Sequence, residues 1–255
     1  MIKMVVLDLD GTLLASDKSI SAYNLAIIEK CRAKGIKIVI ATARSEKSAE
    51  RSIMLVRPDA MILNGGALVI KSSGEIIYKK LISAETTDGI INACMNNKNA
   101  GDITVETEQD YYVSYREAAD HPDYMHGVYH DFGKPLSQKS YKIVVEIFDR
   151  ETAAEIGSKY SECSVIQFSG EHWHRFARKE AGKMAAVKVI SKDEKIGIDE
   201  IAAFGDDYND VEMLRECGTG IAMANGIDEA KLAAKYVCGN NDEDGVGRWI
   251  EEYIL

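Results

Sequence analysis

The chain has 255 residues, of which 46% are hydrophobic and 28% charged, and its formal net charge is −10. This balance predicts a folded chain of one large domain or two smaller ones. The negative charge argues against a nucleic-acid or anionic-membrane surface, which needs clustered Lys and Arg. We see no signal-peptide pattern, and no run approaches the roughly 18 apolar residues of a membrane span. The five cysteines are scattered singly, which predicts reduced thiols and a cytoplasmic location.

The first third of the chain alternates strand and helix patterns. The apolar runs "MVVLDLD", "IKIVIAT" and "AMILN" predict three buried strands. Ser21 and Ser45 are placed to cap the two intervening helices. A strand–helix alternation of this kind predicts right-handed crossovers and a parallel sheet.

The middle of the chain departs from this alternation. "ALVIKSSGEIIYKK" predicts a hairpin, and from about Leu81 short alternating strands and two helices predict an α+β region with an antiparallel sheet. The alternation of helix and strand returns at Lys183. The predicted fold class is therefore α/β, with a Rossmann-like parallel-sheet core formed by residues 1–80 and 183–255. Residues 81–182 are predicted to form an inserted α+β domain.

Two acidic clusters directly follow predicted strands of this core. Asp8 and Asp10 end the first strand, and Asp206, Asp207 and Asp210 follow the strand "EIAAFG". Ligands tend to bind at the carboxyl ends of strands in open α/β sheets. Carboxylates that are close together repel, and a hard cation such as Mg²⁺ relieves that repulsion. The alternatives are ordinary turn aspartates at the first cluster and helix capping at the second.

Three further residues could bind a phosphate near such a cation. Thr42 ends the second strand, Arg44 follows it, and Lys183 opens the first helix after the insert. Each has a structural alternative, since most Thr and Lys residues cap helices or lie in solvent.

Taken together, these segments resemble the haloacid dehalogenase-like (HAD) hydrolase superfamily. "DLDGTLL" matches its first motif, Thr42 in "IATAR" the second, Lys183 the third and "GDDYND" the fourth. The resemblance covers nearly the whole chain. "ILNGGALV" and "DEDGVGRWIEE" are similar to segments of the Cof-type branch, in which an α+β cap of the C2 arrangement is inserted between the second and third motifs.

The resemblance implies roles for the acidic residues. Asp8 would be the nucleophile that forms an aspartyl-phosphate, and Asp10 the general acid and base. Asp8, the backbone carbonyl of Asp10, and Asp206 would hold Mg²⁺, with Asp207 or Asp210 acting directly or through water. Thr42, Lys183 and Asn209 would hold the phosphoryl oxygens, with Arg44 as a further candidate.

The predicted function is a Mg²⁺-dependent phosphatase that acts on a small phosphorylated metabolite such as a sugar phosphate. A phosphomutase of the same superfamily and a non-catalytic phosphate sensor remain alternatives. The insert contains the histidine-rich segments "ADHPDYMHGVYHDF" and "EHWHRFARK", which could form a substrate-binding rim or a plain surface. His126 and His130 have the spacing of a zinc pair, but Pro122 and Gly127 argue against a helix there.

Overall fold

A computed structural model describes residues 1–115 and 127–255 of the chain. It divides the chain into two compact units. The first contains Met1–Lys79 and Gly182–Leu255, and the second contains Lys80–Ala181. His126, one of the two histidines with the spacing of a zinc pair, lies outside the described residues, as does His121.

The described strands are numbered in chain order. They are β1 Met4–Leu7, β2 Lys37–Ala41, β3 Ala60–Leu63, β4 Leu68–Lys71, β5 Ile76–Lys79, β6 Ala100–Thr107, β7 Tyr111–Val113, β8 Val128–Tyr129, β9 Ser140–Ile147, β10 Cys163–Gln167, β11 Trp173–Arg178, β12 Ile201–Gly205, β13 Thr219–Ala222 and β14 Tyr236–Val237. The described α-helices are Ala22–Ala33, Glu46–Val56, Ala84–Met95, Arg150–Lys159, Lys183–Glu194, Val211–Glu216, Asp228–Ala233 and Gly245–Tyr253.

The first unit is built on one eight-stranded sheet with the strand order β14-β13-β12-β1-β2-β3-β4-β5. The strands from β14 to β3 are parallel, and the β4–β5 hairpin adds two antiparallel strands at one edge. This arrangement confirms the predicted α/β class with a parallel-sheet core. The predicted caps are also present, because the hydroxyl oxygens of Ser21 and Ser45 accept hydrogen bonds from backbone N–H groups in the first turns of their helices.

Strand β1 lies between β12 and β2, inside the sheet. Its four residues Met4–Leu7 are completely buried, which explains why the run is continuously apolar rather than alternating. Helix residues such as Met184, Val187 and Ile190 pack against one face of the sheet. The carboxyl ends of the neighbouring strands β12, β1, β2 and β3 therefore lie side by side along the same end of the sheet.

The second unit has a six-stranded sheet with the order β10-β11-β9-β6-β7-β8. Its strands pair antiparallel as predicted, except that β7 and β8 are parallel. Residues 114–127 separate these two strands in the sequence, and parallel strands cannot be joined by a tight hairpin. Ile143, Val145 and Phe176 lie in the hydrophobic core of this unit.

Among the residues that the structure describes, every helix is too short or too polar to span a membrane.

Candidate active site

Four polar residues stand immediately after four neighbouring parallel strands of the first unit. Asp8 follows β1, Thr42 follows β2, Asn64 follows β3 and Asp206 follows β12. The strands are paired in register at these ends, so the four residues gather at one edge of the sheet. This is the position at which open α/β sheets bind their ligands.

Asp8 and Lys183 form the buried centre of this site. The Lys183 Nζ donates hydrogen bonds to Asp8 Oδ1 and to Asp210 Oδ1, each at 2.6 Å. All three side chains are almost fully removed from solvent. Burial raises the pKa of Asp8 well above its usual range even though Lys183 opposes this shift. Burial alone would lower the pKa of Lys183, but the two carboxylates outweigh it and raise that pKa.

Asp210 anchors the loop that carries Asp206. Its Oδ2 accepts hydrogen bonds from the backbone N–H groups of Asp206 (3.1 Å) and Asp207 (3.2 Å), while its Oδ1 faces Lys183. Both Asp210 oxygens are therefore engaged within the protein. Asp207 begins the short turn Tyr208–Asp210, and its Oδ1 accepts a hydrogen bond from the Tyr208 N–H at 2.8 Å.

Asp206 approaches the turn that follows Asp10. Its Oδ1 accepts a hydrogen bond from the Thr12 hydroxyl at 2.9 Å. Burial raises the pKa of Asp206 to about 7, and the nearby charge of Asp210 adds to the shift. Gly11 has a φ of +76°, and a Cβ there would lie 2.8 Å from the Asp206 Cγ. The glycine of "DGT" is thus required both by its backbone conformation and by the close approach of this carboxylate.

The site has the donor set of a divalent cation. Asp8, Asp206 and Asp210 each offer a carboxylate oxygen, and these oxygens lie within 4.8 Å of one another. Among the described residues, no hydrogen-bond donor contacts the second oxygens of Asp8 and Asp206, whereas both oxygens of Asp210 are engaged. Burial is the main cause of the raised pKa values of Asp8 and Asp206, and the neighbouring carboxylates add to both shifts. Carboxylate oxygens in such a group suit Mg²⁺.

Asp10 lies on the turn beyond β1 and is half-exposed, in contrast to the buried Asp8. The Arg44 guanidinium donates to both of its oxygens, Nε to Oδ2 at 2.7 Å and Nη2 to Oδ1 at 2.6 Å. The Lys18 Nζ donates to Oδ1 at 2.9 Å. Burial would raise the pKa of Asp10, but the hydrogen bonds and charge of Arg44, followed by those of Lys18, lower it to about 2. The Arg44 side chain thus forms a two-pronged ion pair with the Asp10 carboxylate.

Thr42 and Asn209 have the remaining polar groups of the predicted site. Thr42 is buried, its N–H donates to the Ile62 carbonyl at 2.8 Å, and its Oγ1 accepts from the Arg44 N–H at 3.1 Å. The Asn209 Oδ1 is buried and has no hydrogen-bond partner among the described residues. A buried amide oxygen of this kind is costly unless a ligand or water completes its hydrogen bonds.

A family model for haloacid dehalogenase-like hydrolases matches residues 5–250. The chain belongs to this family. Among curated proteins it is similar to two Bacillus subtilis phosphatases named for 5-amino-6-(5-phospho-D-ribitylamino)uracil, YitU and YwtE. YitU is 26% identical, with 98% of this chain and 97% of the relative covered, and YwtE is 26% identical, with 99% and 98% covered.

Solved structures of HAD proteins have the same fold. A HAD subclass IIB sugar phosphatase aligns with a TM-score of 0.86 and 24% identity, and the alignment covers 98% of each chain. A Bacteroides thetaiotaomicron phosphatase of this superfamily aligns with a TM-score of 0.85 and 24% identity, over 99% of this chain and 95% of the other. The chain is thus a HAD-like hydrolase, and its fold is the fold of these structures.

Three polar residues of this HAD-like site were not singled out from the sequence. Thr12 belongs to the "DGT" motif, so the motif itself held the signal for its contact with Asp206. Lys18 lies eight residues beyond Asp10, and no local pattern indicates that its side chain returns to that carboxylate. Asn64 follows β3, in the position that Thr42 has after β2, which is a signal that the strand pattern could have provided.

Proposed function

We propose that this HAD-like hydrolase is a Mg²⁺-dependent phosphatase that removes phosphate from a small phosphorylated metabolite through an aspartyl-phosphate on Asp8. The observation that carries the proposal is the group formed by the buried Asp8 and Lys183 with the partly buried Asp206 at the carboxyl end of the sheet. It combines a nucleophile, a second carboxylate for a cation, and a fixed positive charge. A phosphate sensor would need to bind phosphate, but it would not need a second carboxylate at the position of Asp10 for proton transfer.

In the first step, an oxygen of Asp8 attacks phosphorus, and the bond between phosphorus and the leaving-group oxygen breaks. Asp10 donates a proton to that oxygen, so the product leaves as an alcohol. In the second step, Asp10 takes a proton from water, whose oxygen attacks phosphorus and releases Asp8 and inorganic phosphate. In this structure Arg44 and Lys18 donate hydrogen bonds to the Asp10 carboxylate. Proton transfer by Asp10 therefore requires that these hydrogen bonds weaken.

The phosphoryl oxygens are held by Lys183, the Thr42 hydroxyl and the Asn209 amide. These groups matter because phosphoryl transfer depends on positioning and on stabilisation of charge. Bound Mg²⁺, held by Asp8, Asp206 and the backbone carbonyl of Asp10, would neutralise charge on the nucleophile and on the phosphoryl group, so that one anion can attack another.

We further propose that the substrate is a phosphate monoester of a sugar or polyol. The relatives named above support this class, because one group is named for a phosphorylated ribityl compound and one structure is a sugar phosphatase. Residues 81–182 would act as the cap that selects the leaving group. The five buried thiols are compatible with a reducing cytoplasm as the place of action.

The direct test is phosphate release from para-nitrophenyl phosphate by the purified protein in Mg²⁺, with and without excess chelator. We expect turnover that the chelator abolishes and that added Mg²⁺ restores. A panel of sugar and polyol phosphates then tests the substrate class. Absence of phosphate release from every compound in the presence of Mg²⁺ would refute the proposed function.

A further inference from the structure

The loop after β3 has an unusual backbone. Asn64, Gly65 and Gly66 are consecutive, completely or almost completely buried, and all have positive φ values of 53°, 67° and 101°. Only Gly adopts this region without strain, and Asn tolerates it better than most residues. The Asn64 Oδ1 is also buried without a hydrogen-bond partner among the described residues. Positive φ values and a buried polar atom without a partner both reduce stability, and such features are typical of segments that form a functional site.

One side of this loop holds the turn that contains Thr42. The Asn64 N–H donates to the Arg44 carbonyl at 2.8 Å, and the Gly65 N–H donates to the Thr42 carbonyl at 2.9 Å. The positive φ values turn these two successive N–H groups toward the end of β2. The carbonyls on both sides of Ala43 are thereby fixed to the loop, and with them the orientation of the Thr42 hydroxyl.

The other side of the loop contacts the start of the helix Lys183–Glu194. A Cβ on Gly66 would overlap the Gly182 carbonyl group and would lie 2.7 Å from the Lys183 nitrogen. The backbone of Gly66 therefore contacts the backbone of Gly182 and Lys183 directly. No flexible side chain lies between them that could move to make room for a Cβ. The position of the Lys183 main chain depends directly on this contact.

We propose that the Asn64–Gly66 loop is a positioning element that sets the distance between Thr42 and Lys183. The inference rests on the proposed function, which assigns the phosphoryl oxygens to these two residues. Thr42 and Lys183 are far apart in sequence and belong to different elements, so a rigid spacer is needed between them. The loop provides it through hydrogen bonds on one side and the glycine contact on the other.

The test is Gly66→Ala, with Gly74→Ala as the matched control. Both variants put a Cβ at positive φ, but Gly74 (φ +85°) has nothing within 4 Å of that Cβ. In Gly66→Ala the helix start or the loop must shift by roughly 1 Å, and a misplacement of that size can reduce kcat/KM by about 100-fold. We expect this loss with para-nitrophenyl phosphate and a rise of at least about tenfold in the inhibition constant of inorganic phosphate. Gly74→Ala should match the wild type in both quantities.

The inhibition constant separates positioning from a merely structural effect. A variant that is partly unfolded has fewer active molecules and a lower apparent kcat, but its folded molecules bind phosphate normally. A folded Gly66→Ala variant whose phosphate inhibition constant and KM equal those of the wild type would overturn the inference.

A measurement on the wild type covers the case in which Gly66→Ala does not fold. In a titration with inorganic phosphate and Mg²⁺, followed by ¹H–¹⁵N NMR, we expect the amide signals of Gly65 and Gly66 to shift with the midpoint of phosphate inhibition. Those of Gly35 and Gly74 should stay in place. Unchanged Gly65 and Gly66 signals at saturating phosphate would overturn the inference.

The two proposals can fail separately. If the wild type releases no phosphate from any ester, the proposed function fails. If the wild type is active and Gly66→Ala is equally active, the function stands and the role of the loop is refuted.

Discussion

Replacement of Lys183 by Met tests the buried charge network in the absence of any ligand. Met has an unbranched apolar side chain that matches the lysine stem in length, with sulfur in place of the δ carbon, and it lacks the ammonium group. Asp8 and Asp210 are then left in the protein interior without the cation that contacts both of them at 2.6 Å. The variant therefore measures what an uncompensated pair of buried carboxylates costs.

The structure indicates a large effect. The Lys183 side chain is 2% exposed, and those of its partners are 8% and 1% exposed, so solvent screens these interactions very little. Removing one partner of a buried ion pair typically costs about 3–5 kcal/mol. Lys188 provides a matched control, because it lies on the same helix and contacts Glu216 at the same distance, 2.6 Å, but is 52% exposed. Lys188→Met should lose much less unfolding free energy than Lys183→Met, because solvent screens an exposed ion pair.

The free energy of unfolding of the first unit can be followed through Trp249. The chain has two tryptophans, and Trp173 belongs to the second unit. In a Trp173→Phe background, fluorescence reports Trp249, whose ring packs edge-on against Phe204 of β12 at 5.5 Å between centroids. Urea titrations without Mg²⁺ then compare both lysine variants with the background protein.

Equal losses of unfolding free energy for Lys183→Met and Lys188→Met would contradict the reasoning, because they would mean that burial does not decide the strength of these pairs. A stability of Lys183→Met equal to the background would be equally damaging. In the activity assay, Lys183→Met should lose turnover and Lys188→Met should retain it.

Further predictions concern the remaining parts of the site. Asp8→Asn should abolish turnover while its thermal unfolding stays cooperative; retained turnover would exclude Asp8 as the nucleophile. Gly11→Ala should raise the Mg²⁺ concentration for half-maximal activity by about 10- to 100-fold, because the new Cβ displaces Asp206. Gly35→Ala is the control and should leave this concentration unchanged, because Gly35 has the same φ of +76° but nothing lies within 4 Å of a Cβ there. Burial raises the pKa of Cys94 and Cys238 to about 12, so both thiols stay protonated at pH 8. Because all five cysteines are buried, Ellman's reagent should react slowly with the native protein, whereas in denaturant it should react with five thiols. A rapid reaction of the native protein would contradict this prediction. A phosphatase should turn over its substrate without any sugar bisphosphate, whereas a phosphomutase should require a sugar bisphosphate as activator.

The sequence was informative where the physical cause is local. A continuous apolar run followed by acids predicts a buried strand that ends at a site, and β1 with Asp8 has this form. Ser21 and Ser45 cap their helices because a cap depends only on the next three residues. The pairing of β7 with β8 was missed, since strand direction depends on the path of a long connection and not on the residues that pair.

The sequence by itself thus determined the parallel-sheet core, the strands that end in acids, and the motif that assigns the chain to its family. Only the tertiary structure decided which charges meet. Lys183 reaches Asp8 across 175 positions of the chain, and the Arg44 guanidinium reaches both oxygens of Asp10 across 34 positions. Backbone propensities and apolar periodicity act over a few residues, whereas a buried ion pair depends on how the sheet brings distant strand ends together. The contact of Gly66 with Gly182 has the same origin, because nothing near either glycine in sequence indicates that their backbones meet.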